Sequence, residues 1–414
     1  MKNLRCVKGF RDLNEDFCNK LFFLLKSFRK LAESFNCYEI KTPTVEFSSL
    51  FQRSVGEGTD IVEKEMFLLN NSETENKSEN SLLKNLLLEN LLCLKPEATA
   101  SIVRSMINNG KFSGRYFTFC NLFRRERPQS GRYREFYTFS IEFFGRRDVF
   151  QSIECLDLAI SFFNQLNIKY ILKVNNIGSS EDRKTYSKSL QDYFTNHYEN
   201  LSEDSKNRFN KGKFLRILDS KDDREIIEKA PKIENYLNEN SKKKFQKILE
   251  FLKNKNIDFE VDSNLVRGLD YYNDLVFEFI DISATGRQNS ICGGGNYDGL
   301  FFHLGSQDTA AIGFGIGLDR IINLMDINFM EDNIKMKKKI LFIDEGNENS
   351  RDNIITELRK NFAVEISPKD LKVINKNKKN FDYVVFPSEG IWKFEDLRNN
   401  KIGILDEILN SIKY

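Results

Sequence analysis

The chain has 414 residues, of which 40% are apolar and 30% charged, with 63 Lys and Arg set against 61 Asp and Glu for a net charge of +2. Such a length exceeds one hydrophobic core and predicts two or three packed units, while no apolar run approaches the roughly 20 residues that span a bilayer, so a soluble, non-membrane protein is expected. The near-neutral charge neither requires nor excludes a nucleic-acid partner, and seven scattered Cys without a C-x-x-C, beside two His, offer no metal-ligand spacing.

The opening run KNLRCVKGFRDLNEDF has no apolar signal core, and a cytoplasmic location is expected. Phe17, Leu21, Leu24, Leu25, Phe28, Leu31 and Phe35 recur at helical spacing and predict an amphipathic helix over 14–36. YEIKTPTVEF reads as a strand in which Pro43, lacking a donor, favours an edge or interface. Residues 70–90 form a polar, repetitive run read as a long hairpin connection with a partly helical end. RYFTFCNLFRRERPQSGRYREFYTFSIEFFG then gives two aromatic, β-branched strands joined by a basic Pro/Gly loop, an antiparallel hairpin with a cationic tip.

From about Gly178 to Lys255 the pattern turns helical and highly charged, which predicts a helical insertion before strand-like sequence resumes near Asp258. ICGGGNYDGL and AAIGFGIGLDRIINLM return to strand, turn and helix chemistry. Beyond a Lys-rich linker, ILFIDE, a helix from about Ser350 to Asn361, AVEIS and YVVFPS alternate as in a small α/β unit.

Three clusters carry chemistry. Arg124, Arg125, Arg127, Arg132 and Arg134 would place several guanidinium forks over one sheet face, a set suited to phosphates, although a solvated basic hairpin has the same composition. VRGLDYYNDLVFEF crowds Arg267, Asp270 and two Tyr at the mouth of a strand, which fits ligand contacts or a satisfied core edge. The glycines 293–295 match neither dinucleotide nor P-loop spacing. His197 and His303 both read as structural.

In order and spacing, KGFRDL, TPTVEFSSLFQRSVGEGTDIVEKEMF, LKPEATASIVR, FRRERPQSGRYREFYTFSIEFFG, LVRGLDYYNDLVFEF, CGGGNYDGL and GFGIGLDR resemble the class II aminoacyl-tRNA synthetases, and among them the bacterial-type histidyl-tRNA synthetase family. The resemblance is strong over about 1–330 and weak beyond. It implies an α+β fold: an antiparallel-sheet catalytic core at 1–330 carrying the insertion at about 178–255, a linker at 331–339, and a shortened anticodon-binding-like α/β domain at 340–414. It also implies a histidine–tRNA ligase that activates L-histidine with ATP, with Mg2+ on the phosphates and no structural metal, and charges histidine tRNA as a homodimer joined around Pro43.

Residue by residue, the resemblance implies that Arg124 contacts the α-phosphate, Glu126 the adenine amine and Phe136 one face of the adenine, with Arg320 on the other and Arg132 also in the ATP site. Arg267 would touch both the α-phosphate and the histidine carboxylate. Glu97 and Thr99 would hold the amino group, Glu142 and Tyr272 the imidazole nitrogens, and Tyr271 and Tyr297 the pocket wall, while Gln129 and Arg134 would meet the tRNA acceptor end. Four positions depart from the family: Ala98 stands for a usual Gly, Thr138 for a Gln that contacts histidine, Arg125 for a His and Asn296 for an Arg. The C-terminal part is short and reads as lacking a helix between AVEIS and YVVFPS. Two rival readings are the non-catalytic, synthetase-like regulatory subunit of ATP phosphoribosyltransferase and a degenerate RNA-binding paralogue. Retention of Arg124, Glu142, Arg267, Tyr271, Tyr272 and Arg320 argues against both.

Overall fold

A computed structural model of the chain describes residues 4–56, 59–69, 91–128, 131–220, 222–283, 289–325, 337–344, 348–368 and 378–407. The run at 70–90, Gln129, and most of the segment between AVEIS and YVVFPS lie outside these residues. The chain divides into two compact units, Met1–Met330 and Glu331–Tyr414.

The first unit is built on strands β1 (Tyr38–Glu39), β2 (Val45–Phe47), β3 (Phe67–Leu69), β4 (Leu92–Leu94), β5 (Gly114–Phe123), β6 (Glu135–Phe144), β7 (Tyr170–Asn176), β8 (Phe259–Val261), β9 (Asn273–Asp281), β10 (Ser290–Asn296) and β11 (Ala311–Gly317). Eight of them make one sheet in the order β1-β5-β6-β11-β10-β9-β7-β8. The inner pairs are antiparallel, but β1 runs parallel to β5 and β8 parallel to β7. The expected antiparallel core is therefore a mixed sheet. Parallel neighbours need a long crossover, and each edge pair has one: residues 40–113 at one side and the helical insertion at the other.

YEIKTPTVEF, read as one strand, divides around Pro43 into β1 and β2, which sit in different sheets. β2 is an edge of a three-stranded sheet β2-β4-β3, in which β3 and β4 pair antiparallel across the 70–90 run.

Helix α1 (Glu15–Ser34) starts where the Asn14 side chain accepts the Phe17 N–H at 2.9 Å and where Glu15 and Asp16 meet the positive helix end. Its buried stripe is Phe17, Leu24, Phe28 and Ala32. Phe28 stacks on Phe139 of β6 with centroids 4.1 Å apart and meets Phe162 edge-on at 5.1 Å. Phe162 belongs to α4 (Val149–Gln165), so two helices cover one aromatic face of the sheet. The other helices of the core are α2 (Ser48–Val55), α3 (Thr99–Asn108), α10 (Leu300–His303) and α11 (Leu318–Leu324).

The insertion comprises α5 (Ser180–Asn196), α6 (Glu203–Asn210), α7 (Phe214–Ile217), α8 (Arg224–Glu228) and α9 (Glu239–Asn254). A reciprocal capping box between Ser179 and Asp182 opens α5. Tyr186, Leu190, Phe194 and Ile217 give these helices a core of their own.

In the second unit, β12 (Lys339–Asp344), β13 (Ala363–Pro368), β14 (Tyr383–Ser388), β15 (Ile391–Asp396) and β16 (Lys401–Ile404) form a sheet in the order β13-β12-β14-β15-β16. Helix α12 (Glu348–Asn361) supplies Ile355 and Leu358 to its core. Lys339 already pairs with Ala363, so the strand starts one residue inside the expected linker. The last two strands carry no alternation strong enough to announce them from sequence.

Phe28→Ala is expected to lower the unfolding free energy of the first unit by about 3–5 kcal/mol, because it opens a cavity between two aromatic partners. Urea titration followed by far-UV circular dichroism measures it; a loss under about 1 kcal/mol would show that Phe139 and Phe162 close the space.

Candidate active site

Side chains alternate across a strand, and the middle of this sheet shows what that does. On β6, Tyr137, Phe139, Ile141 and Phe143 share one face, while Phe136, Thr138, Ser140 and Glu142 share the other. Registered on the latter face, Glu142 lies opposite Gly313, Ser140 opposite Gly315 and Thr138 opposite Gly317; across the next ladder Gly315 faces Gly293 and Gly313 faces Gly295. The floor is thus glycine in two adjacent strands. The room is occupied from outside those strands: a Cβ on Gly293 would strike the Arg267 guanidinium, and one on Gly313 would strike the Glu142 carboxylate.

Above the floor lies a cavity of about 270 Å³ lined by Glu97, Thr99, Arg124, Thr138, Arg267 and Tyr272 among others. Ala98, Tyr271 and Tyr297 also line it. It adjoins a wider cleft of about 970 Å³ that Glu126, Arg132, Phe136 and Arg320 line, with Arg124, Phe136 and Arg267 common to both. The described residues expected in the histidine and ATP sites thus line one or both of these spaces, except Glu142, which touches the cavity through its bonds to Thr99 and Tyr297 of the wall.

At the inner end, Glu142 is 1% exposed. Its carboxyl accepts the Thr99 hydroxyl at 2.7 Å and the Tyr297 hydroxyl. Burial pushes its pKa up to about 8, against the downward pull of Tyr297 and Thr99. Glu97, also buried, accepts the backbone N–H groups of Thr99 and Ala100 at 2.7 and 2.8 Å, so it caps α3 with both oxygens. Burial raises its pKa and those N–H groups lower it. Tyr271, Tyr272 and Tyr297 pack together with centroids 4.8 to 6.4 Å apart. Burial raises the Tyr272 hydroxyl to about 12, so it stays a donor at neutral pH. Thr138 is buried with its hydroxyl 3.8 Å from the Cys120 sulfur.

At the outer end the charges are positive. Burial disfavours the Arg267 cation, but the ion pair with Glu278 outweighs it and the net shift is upward. Glu278 is the cross-strand neighbour of Gly293, which explains why the guanidinium lies over that glycine. The Nε of Arg267 is buried and has no hydrogen-bond partner among the described residues. Arg124 donates through Nε to the Pro96 carbonyl at 2.9 Å and lies 5.6 Å from the Phe136 ring centroid. Its pKa is lowered first by burial and further by the nearby charge of Arg267. Arg132 pairs with Glu126, and Arg320 donates to the Ser290 carbonyl.

Arg134 is placed differently from the rest. Its side chain turns to the N-terminal segment, donating to the carbonyls of Lys8 at 3.2 Å and Glu126 at 3.3 Å. Two contributors escaped the sequence reading. Glu278 was visible as a lone acid in the apolar run LVFEF. Asp319, beside Arg320, pairs with Arg11 and accepts the Tyr137 N–H at 3.2 Å, giving the KGFRDL segment its task. Among the described residues no three His, Cys, Asp or Glu side chains group as a metal site.

Comparison with known proteins agrees with this geometry. The family model for histidyl-tRNA synthetase matches residues 9–321. Over 347 residues the chain is 39% identical to the chloroplastic histidine–tRNA ligase of Pyropia yezoensis, a match covering 82% of this chain and 75% of that one. Two solved structures share the fold. Apo histidyl-tRNA synthetase of S. aureus gives a TM-score of 0.73 at 22% identity over 100% of both chains. A Bacillus halodurans C protein described as an ATP phosphoribosyltransferase regulatory subunit/histidyl-tRNA synthetase gives 0.60 at 19% identity, over 89% of this chain and 95% of its own. On the strength of that family match and that relative, the chain belongs to the histidyl-tRNA synthetase family.

Proposed function

We propose that this chain is a histidine–tRNA ligase, with the cavity as its histidine site and the wider cleft as its ATP site. The carrying observation is a single cavity lined at one end by Thr99 and Tyr297, whose hydroxyls both donate to the buried Glu142 carboxyl, and at the other by the guanidinium groups of Arg124 and Arg267. Histidine has the matching form: an imidazole to enter first and a carboxylate to face the cations. Glu142 and Tyr272 meet the two imidazole nitrogens, Glu97 and Thr99 the ammonium group, and Arg267, through its unpartnered Nε, the carboxylate. Ala98 and Thr138 shape the remaining wall. Buried donors and acceptors left unmatched by other amino acids give the selectivity.

In the cleft, Phe136 and Arg320 hold the two faces of the adenine and Glu126 its amine, while Arg124 and Arg132 take phosphate oxygens. The histidine carboxylate oxygen then attacks the α-phosphorus, the bond to the bridging oxygen breaks, and pyrophosphate leaves. Arg124 and Arg267 take the negative charge carried by the oxygens of that α-phosphate as the bond breaks. A terminal ribose hydroxyl of the tRNA next attacks the carbonyl of the mixed anhydride, and AMP departs. Mg2+ entering on the triphosphate would be held mainly by phosphate and water oxygens, with Glu278 of the cleft able to add a carboxylate; when bound it would neutralise phosphate charge.

Acceptor contacts are assigned to Gln129 and Arg134, the latter by exchanging its present bonds to Lys8 and Glu126 for phosphate. A homodimer is supported by the exposed apolar residues around Pro43: Tyr38 at 65%, Val45 at 41% and Phe47 at 52% exposure. The second unit we assign to the anticodon arm, on the strength of Lys337, Lys338, Lys379 and Arg398 around one hollow of its surface.

Histidine, alone among the twenty amino acids, is expected to drive exchange of labelled pyrophosphate into ATP. Arg267→Ala should cut that exchange by about a hundredfold or more without changing the oligomeric state. Exchange with no amino acid favours the regulatory-subunit reading.

The raised carboxyl makes a second test. Glu142 titrates near 8 folded against an ordinary 4.5 unfolded, so the folded chain holds more protons in that window and stability falls as pH rises through it. Glu142→Gln removes the loss: its Tm should exceed the parent's by more at about pH 8.5 than at about pH 5, while histidine-dependent exchange drops. An advantage independent of pH would mean that the carboxyl is ionised throughout. Finally, Phe47→Glu should convert a dimer to monomers in sedimentation equilibrium; an unchanged mass would move the interface elsewhere.

A further inference from the structure

The loop from Asp262 to Tyr272 carries Arg267, Tyr271 and Tyr272 but contains no helix or strand. Its position must come from outside itself, and several of the groups that hold it belong to the insertion. Arg216 of α7 reaches it twice, through Nε to Asp270 Oδ1 at 2.8 Å and through Nη2 to the Gly268 carbonyl at 2.8 Å. Lys213 meets the other oxygen of the same carboxylate at 2.7 Å. Arg183 of α5 donates to the Tyr272 carbonyl at 2.5 Å.

From the catalytic side the seat is equally close. The Asp270 N–H donates to the Val55 carbonyl at 3.2 Å. Gly56, at φ +100°, follows Val55, and a Cβ there would come within 2.5 Å of Asp270 Oδ2. The glycine provides both the backbone turn and the space for the carboxylate. Among the described residues lining the cavity and the cleft, Asp270 does not occur, so it reaches substrate only through its neighbours.

We infer that Asp270 is a positioning residue: gripped by Arg216 and Lys213, it sets the Arg267 loop in register over the glycine floor and ties the insertion to histidine activation. This rests on the reading of the cavity as the histidine site. Only Gly268 and Leu269 separate Asp270 from Arg267, and a displacement of about 1 Å at a reacting group can cost a hundredfold in rate. Because Arg216 and Lys213 grip the carboxylate closest in the chain to Arg267, a shift of the insertion is passed to the guanidinium through it.

The test is a double-mutant cycle on pyrophosphate exchange with Asp270→Asn, the pair Arg216→Gln with Lys213→Gln, and all three changes together, recording kcat and the two KM values. Asp270→Asn and the pair should each lower kcat by roughly tenfold with the KM for ATP within about twofold, and the triple variant should lose no more than either. Single-site kcat values within about twofold of the parent, or losses that multiply in the triple variant, overturn the inference. Should Asp270→Asn fail to fold, the Arg216 and Lys213 pair removes the same contact from the other side and is read by the same criterion. A parent protein without histidine-dependent exchange sinks the functional reading instead. Amide hydrogen exchange across 264–272 then decides the clasp: faster exchange in the pair variant supports it, and unchanged exchange refutes it.

Discussion

A β-sheet offers a substrate depth only where its side chains have been removed. Here Gly293, Gly295, Gly313, Gly315 and Gly317 clear one face of β10 and β11, and the rest of the first unit follows from that clearing. Stripped of side chains, the face contributes little apolar burial of its own. The opposite face is packed continuously, with Phe139 between Phe28 and Phe162. Chemistry must then arrive from the rim: Glu142, Ser140 and Thr138 from the adjoining strand, and Arg267 and the tyrosines from a loop laid over the floor.

Charges placed over such a floor are costly to bury singly, so each is held by a partner. Arg267 has Glu278, Arg132 has Glu126, and Asp319 has Arg11. The last pair reaches furthest. The Arg11 guanidinium lies 3.7 Å from the Tyr133 ring centroid and 4.4 Å from that of Phe17, which joins the start of α1 to the basic hairpin. Through Asp319 and the Tyr137 N–H it also joins α11 to β6. The segments carrying Arg124, Phe136 and Arg320 are thereby fixed relative to one another by one residue of the N-terminal run.

Much of this was legible because strand alternation is a strong signal. YTFSIEFF places Thr138, Ser140 and Glu142 on one side before any coordinates are known, and the spacing of Phe17, Leu24 and Phe28 announces α1. The glycine run was legible only in part. Three successive glycines read alone as turn chemistry, and they form a central strand because a guanidinium and neighbouring strands fill the space their side chains would need. Division of YEIKTPTVEF into two sheets, the parallel edges and the grip on Asp270 depend on residues far apart in the chain. Local pattern carries no information about such pairings.

Fold alone does not separate a synthetase from its regulatory relatives, since a chain described under both names superposes on this one. Two features of this chain cost it stability. A buried donor without a partner costs about 1–3 kcal/mol, and Arg267 Nε is one. A carboxyl forced up to about 8 is held in a place that water would serve better. Replacing either by an apolar group would relieve the fold, and substitutions that relieve a fold are readily found when nothing opposes them. Arg267 lines the cavity itself, and Glu142 bonds to two residues of its wall, Thr99 and Tyr297. Under the function proposed above, a histidine with an adenylate phosphate would complete the hydrogen bonds of both groups, which gives a physical reason for a cost the fold alone does not need.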